Sequence, residues 1–167
     1  MFGEIVMILY HGSTDLVVQP EIRKSNVYLD FGEGFYTTTS YEQAKRWAKI
    51  KMRRNNVDVG YVSVYELDLD KVEQEYIVKY FDGATEEWLM FVVNNRKGES
   101  ADSVADIHVG PVADDNVYQS IRLFETGAYD TEYIIKKLKT EVLHDQWTLH
   151  TKEVLQYLKF IEAKEIR

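Results

Sequence analysis

Apolar residues run almost without interruption over positions 5–10, which predicts a buried strand handing over to a loop at His11-Gly12-Ser13. A helical period sets in at position 40. Ser40, with Gln43 three residues later, reads as a capping box opening a helix over 40–52, with Tyr41, Ala44, Trp47, Ala48 and Met52 as its apolar stripe. Asn55-Asn56 ends it, and positions 61–67 alternate as a half-buried strand. Positions 85–97 predict an amphipathic helix with Trp88, Phe91 and Val92 inward. It has Glu86 and Glu87 in its first turn, Arg96 and Lys97 in its last, and Gly98 as the stop. A short strand at 105–109 is broken by Gly110-Pro111. Helices follow at 116–125, burying Val117, Ile121 and Phe124, and at 131–139, burying Ile134, Ile135 and Leu138. A strand at 147–149, a short helix capped by Thr151 with Val154 and Leu155 inward, and a strand at 158–166 complete the pattern.

Strands interrupted by helices without a βαβ rhythm predict an α+β fold, with two antiparallel sheets meeting at a cleft and helices on the flanks. A length of 167 residues, 45% hydrophobic, suits one domain spanning 1–167, and no linker-like tract divides it. The absence of cysteine excludes disulfides, thiol catalysis and thiolate metal sites. The apolar start is too short for a signal segment and nothing approaches a membrane span, so the expectation is a cytoplasmic protein with no membrane association.

A net charge of −8 argues against a general nucleic-acid footprint. The local exception is Lys45, Arg46, Lys49, Lys51, Arg53 and Arg54 on one helix. They form either a solvated face with cations near a helix C-terminus or, in part, a contact for phosphates or an acidic target.

The candidate chemistry centres on Asp30-Phe31-Gly32-Glu33-Gly34-Phe35-Tyr36-Thr37-Thr38. Its two glycines allow a tight turn and a close ligand approach, and Phe35-Tyr36 then supplies a rigid aromatic pair. Upstream, the imidazole of His11 can hydrogen-bond a ribose hydroxyl, and Gly12 leaves its N–H and C=O open to an amide. The irregular connection 14–29, with Pro20 and the basic pair Arg23-Lys24, has the length of a functional lid. Asp114-Asp115 raises a metal site, but without a third ligand at suitable spacing it reads as a helix cap, and no metal is expected. Gly32 and Gly34 lack the third glycine and the preceding strand of a dinucleotide-binding fingerprint.

Tyr10-His11-Gly12-Ser13, the Asp30 to Thr38 stretch and Asp145-Gln146-Trp147-Thr148-Leu149 together resemble the three motifs of the ADP-ribosyltransferase fold, in its diphtheria-toxin and poly(ADP-ribose) polymerase branch. With Glu87-Trp88-Leu89, Gly110-Pro111-Val112-Ala113-Asp114-Asp115 and Tyr157-Leu158-Lys159-Phe160, the chain is similar nearly end to end to a family of small bacterial proteins of that fold. The resemblance implies NAD as substrate and a site whose catalytic residues are His11, Tyr36 and Gln146. It implies binding by His11, Gly12, Ser13, Gly34, Tyr36 and Trp47. In such a site the histidine orients the adenosine-side ribose, the glycine holds the nicotinamide carboxamide, and Tyr36 stacks on nicotinamide. Trp47 stands where an aromatic closes the far side, although its place on the apolar stripe equally suits a core residue.

One position departs from the pattern. Active transferases carry Glu where this chain has Gln146, and an amide can accept from the ribose 2′-hydroxyl without supplying charge. Three functions follow: a mono-ADP-ribosyltransferase modifying an unknown protein or nucleic-acid acceptor, an NAD glycohydrolase, or a catalytically weak pseudoenzyme binding NAD or ADP-ribose. The resemblance further implies a toxin–antitoxin or phage-defence setting, with a small antitoxin protein as partner.

Overall fold

The computed structural model describes residues 5–23, 29–99, 104–141 and 143–167. Residues 24–28 of the connection discussed above, Lys24 among them, and the side chain of Asp115 lie outside this description.

β1 (Val6–Ser13) pairs antiparallel with β3 (Gly60–Asp68), and β3 with β7 (Leu158–Ile166), in a three-stranded sheet of order β1-β3-β7. β3 is the central strand, and Val62, Tyr65 and Leu67 are fully buried. A four-stranded sheet has the order β2-β6-β5-β4, from β2 (Phe35–Thr37), β6 (Asp145–Leu149), β5 (Ile107–Pro111) and β4 (Val78–Tyr80). The α+β class with two sheets matches expectation, but one pairing does not: β4 and β5 run parallel. Between them the chain makes the long return that a parallel pair requires, through α3 (Glu86–Arg96).

The remaining helices are α1 (Tyr41–Asn55), α2 (Leu69–Glu75), α4 (Asp115–Glu125), α5 (Thr131–Leu138) and α6 (Lys152–Leu155). Side chains of Ser40, Thr85, Asp114 and Thr151 each accept from a backbone N–H in the first turn, as their N-cap positions require. The capping box is only half formed. Ser40 Oγ accepts from the Gln43 N–H at 3.1 Å, but the Ser40 N–H goes to Thr38 Oγ1 at 3.0 Å, which frees the Gln43 side chain. Among the described residues no helix is long and apolar enough to cross a membrane.

Three strand expectations need correction. β1 is an edge strand with Val6 and Ile8 exposed, as is Ile5 just before it, and Leu9 buried, so the apolar run is not buried throughout. Gly110-Pro111 does not break β5 but extends it, pairing with Gln146 and Asp145. Val109 turns its C=O to Phe81 beyond β4, so by ladder alternation Pro111 faces the same side past the end of β4, where its missing N–H costs no ladder bond. β6 correspondingly begins at Asp145, which places Gln146 inside a strand.

The main core lies between the sheets, where Leu9, Tyr65 and Leu67 meet Ile107, Trp147 and Leu149. A second cluster packs α3, α4 and α5 under Phe31, around Trp88, Val92, Ile121, Ile134 and Leu138. A third seats Ala44, Ala48 and Met52 of α1 on Val62 and Ile166.

Candidate functional site

The sheets touch where Tyr10 and Thr38 exchange both backbone hydrogen bonds, at 2.8 and 3.0 Å. Alternation in an antiparallel ladder then turns the N–H and C=O of Gly12 to the same side as those of Tyr10. β1 and β2 do not continue to pair there. Instead the imidazole of His11 spans the gap, its Nδ1–H donating to the Tyr36 carbonyl at 2.7 Å. A cavity of about 900 Å³ opens in this fork. It gathers His11, Gly12, Ser13, Gly34, Tyr36, Trp47 and Gln146, every site residue singled out in the sequence.

A carbonyl can only accept, so His11 is the Nδ1–H tautomer and Nε2 remains an acceptor. Its ring stacks on Phe35 with centroids 4.2 Å apart. Burial, then the neighbouring charges of Lys51 and Arg23, push its pKa down to about 3, against a favourable contribution from the Tyr36 carbonyl. The imidazole is therefore neutral and oriented throughout the physiological range.

Gly12 has a packing reason to be glycine. A Cβ there would stand 1.8 Å from the Ala44 carbonyl oxygen of α1. Its own carbonyl accepts from Lys51 Nζ at 3.2 Å, and burial lowers the Lys51 pKa. Gly32 takes φ 79° to make the turn, whereas Gly34 lets β6 approach, a Cβ there falling 2.6 Å from Thr148 Cγ2. The close approach expected at Gly34 is thus first an approach to protein.

Tyr36 donates its hydroxyl to the Gly32 carbonyl at 2.6 Å and accepts from the Phe31 N–H at 3.0 Å, and burial raises its pKa. With the hydroxyl committed to the turn, the ring is what Tyr36 offers to the cavity. Trp47 is half-buried and lines the cavity, while Gln43, Ala44, Ala48 and Met52 form the buried face of α1. The stripe read from the sequence therefore splits, with Trp47 on the ligand side. The basic cluster splits likewise: Arg46, Lys51 and Arg54 line the cavity, and Lys45, Lys49 and Arg53 do not.

The opposite wall carries Gln146, 2% exposed, which donates Nε2–H to the Pro111 carbonyl at 3.2 Å. Trp88 Nε1–H donates to the same carbonyl at 3.0 Å, so the Trp88 and Pro111 segments brace Gln146 from behind. Asp145 anchors the start of β6 by accepting from Thr38, from Thr39 and from Trp147 Nε1.

Two wall residues have side chains to which the sequence assigned no chemistry, Asp30 standing there only as the first residue of the glycine turn. Asp30 is 7% exposed and accepts from the Tyr118 hydroxyl at 3.0 Å; the Ala113 N–H and the Gln146 amide also favour its ionised form. Burial outweighs these, and raises its pKa to about 6. Gln43, read only as half of a capping box, is buried with its side chain on the cavity wall. No local signal marks either.

Asp114 both caps α4, accepting from the Val117 N–H at 3.1 Å, and lines the cavity. The connection after β1 contributes every second residue from 15 to 23: Asp15, Val17, Gln19, Glu21 and Arg23. Among the described residues no cluster of three or more His, Asp or Glu side chains could hold a metal ion.

The family's sequence model matches residues 7–160. The chain belongs to the DUF3990 family, described as proteins of unknown function. No curated protein and no solved structure matches the chain. The span matched to DUF3990 takes in both cavity walls, from His11 to Gln146.

Proposed function

We propose that this chain is an NAD-dependent mono-ADP-ribosyltransferase that cleaves the nicotinamide–ribose bond and transfers ADP-ribose to a macromolecular acceptor. The observation that carries the reading is the convergence, in one cavity, of residues from three motifs far apart in sequence: His11 and Gly12, Tyr36 and Trp47, and Gln146. About 900 Å³ falls within the range of small-molecule and cofactor sites.

Each wall offers a group that such a ligand needs. His11 Nε2 is an acceptor of fixed orientation for a ribose hydroxyl. The Gly12 backbone edge suits a carboxamide, and the rings of Tyr36 and Trp47 suit a flat heterocycle. Arg46 and Arg54 from α1 supply cations for a pyrophosphate.

In the reaction the C1′–N bond breaks with its electron pair passing to the nicotinamide ring. The acceptor bonds C1′ as it gives up its proton, through an oxocarbenium-like state. Gln146 Oε1 would hold the ribose 2′-hydroxyl while that charge develops. In this reading the chain acts in the cytoplasm as a toxin or defence effector held in check by a small antitoxin protein.

Incubation with NAD, alone and with cell lysate, tests the reading by following nicotinamide, ADP-ribose and labelled macromolecules. Label transferred to a macromolecule in lysate is the expected result. Free ADP-ribose from the protein alone identifies a glycohydrolase, and NAD binding with no nicotinamide release under either condition identifies a pseudoenzyme.

A further inference from the structure

We propose that Asp30 is the positioning carboxylate of this cavity, turning the Gln146 amide so that Oε1 is presented to the ligand and supplying the negative charge that Gln146 lacks. The inference deepens the NAD reading above and rests on it.

An amide is two-faced, and nothing in an isolated glutamine decides whether a ligand meets its oxygen or its nitrogen. Here the wall decides. One N–H donates to the Pro111 carbonyl, which can only accept, and the amide also serves as a donor toward the ionised carboxylate of Asp30. With its donors drawn to the wall, the amide leaves Oε1 for the cavity.

The arrangement is complete only while Asp30 is ionised. A protonated Asp30 supplies no negative charge and no longer draws an N–H, and its O–H competes for Oε1 against the hold of the Pro111 carbonyl on Nε2.

Besides Gln146 of β6 and the Ala113 N–H, the groups around Asp30 come from three elements. Tyr118 on α4 donates to it at 3.0 Å, and Arg96 on α3 favours its charge from a position 3.9 Å over the Tyr118 ring. Tyr36 on β2, neutral because burial raises its pKa, stands at the far end of the same turn. Asn95 Nδ2–H fixes the Asp30 backbone by donating to its carbonyl at 3.1 Å. The carboxylate is thus held from both sides next to Gln146, and its pKa near 6 places the change of state within reach of an assay.

The experiment follows nicotinamide release from NAD, with and without lysate, across roughly pH 5 to 8.5, a window bracketing the carboxyl pKa of about 6. Wild type should show a rising limb with its midpoint near that value. Asp30→Asn, which keeps size and a hydrogen-bonding oxygen, should lose the limb and run about 10–100-fold slower, the range for a partner that orients a first-contact group. Tyr118→Phe keeps the ring under Arg96 but removes a donor that favours the carboxylate, so the limb should move to higher pH.

A limb that persists in folded Asp30→Asn, or one that stays put in Tyr118→Phe, overturns the inference while the NAD reading stands. If Asp30→Asn does not fold, the Tyr118→Phe limb decides alone. A wild type that releases no nicotinamide at any pH, alone or in lysate, overturns the transfer reading and this inference with it.

Discussion

On the β1–α1 wall of the cavity stands the half-buried His11; on the wall made by β5, β6 and the helices behind them stands the buried Asp30. Burial disfavours the charged form of both, with opposite consequences. It drives the base down to about 3, so His11 is neutral at every physiological pH, and it lifts the acid to about 6, so Asp30 changes state close to neutrality. Neighbouring charge reinforces the first effect, through Lys51 and Arg23, and opposes the second, through Arg96 and the donors around the carboxylate. One wall is a fixed template and the other a titratable one. The histidine, the residue usually suspected of pH sensing, is the insensitive partner here.

The walls also differ in what holds them. The β1–α1 wall depends on backbone approach, so its sharpest break is a folding defect. Gly12→Ala drives a Cβ to 1.8 Å from the Ala44 carbonyl oxygen, and neither backbone can yield cheaply. A loss of about 3 kcal/mol or more is expected, read as a lowered denaturation midpoint with an unchanged m-value. A normal midpoint would mean that α1 is not seated on β1 as described.

The opposite wall depends on a side-chain network and should break in turnover. Gln146→Ala removes the acceptor for the 2′-hydroxyl and should lower nicotinamide release by about 10²–10³ with NAD affinity largely kept, because the contact matters most as charge develops. Gln146→Glu tests the wall more finely. With Asp30 alongside, the added carboxylate meets a like charge, one of the pair is driven toward protonation, and the rate should fall. Combined with Asp30→Asn, the same Glu stands without that repulsion and should recover activity over either single variant. Equal rates in wild type, Gln146→Ala and Gln146→Glu would make Gln146 ordinary scaffolding.

Intermediate effects belong to the residues a ligand would touch. Trp47→Ala, His11→Ala and Tyr36→Ala should each weaken NAD binding, by about 10–100-fold for the stacking rings, on the scale of one base–aromatic stack. Stability separates them. Trp47 is half-buried on the cavity wall and its loss should leave the melting temperature nearly unchanged, whereas the Tyr36 hydroxyl joins Phe31 to Gly32 and its loss should lower it. Calorimetric titration beside thermal melts gives both readouts, and three variants with wild-type affinity would remove the cavity as the NAD site.

These walls were unequally legible in the sequence. The helix carrying Trp47 and the strand carrying His11 are marked by local signals of caps and periods, whereas the strand read at 147–149 left Gln146 outside it. The convergence of these residues with Tyr36 was implied by the resemblance of their three motifs to the ADP-ribosyltransferase fold. Asp30 could not be weighed that way, because its burial and partners come from Asn95, Arg96 and Tyr118, on helices distant in sequence. Gln43 was hidden by a sound local rule: the box motif assigned its side chain to Ser40, and Thr38 Oγ1 took that donor instead. α2 and β4 went unread, since the buried apolar residues of α2 are only Leu69 and Val72 and β4 spans three residues. Pro111 misled because its cost depends on whether a strand lies alongside, which only the assembled sheet decides.

The smallest expected effect concerns Asp114, which belongs to the titratable wall by position but not, on this account, by chemistry. It faces the cavity, yet its carboxylate accepts from the Val117 N–H at 3.1 Å as the N-cap of α4. Asparagine caps about as well as aspartate and loses only the charge that favours a helix N-terminus, so Asp114→Asn should cost no more than about 1 kcal/mol. Its nicotinamide-release rate and the midpoint of its pH limb should match wild type, because Asp30 alone carries the titration. A shift of that midpoint with an unchanged melting curve would show that two carboxylates share the wall's charge, and the contrast with His11 would then rest on a coupled pair rather than on one buried acid.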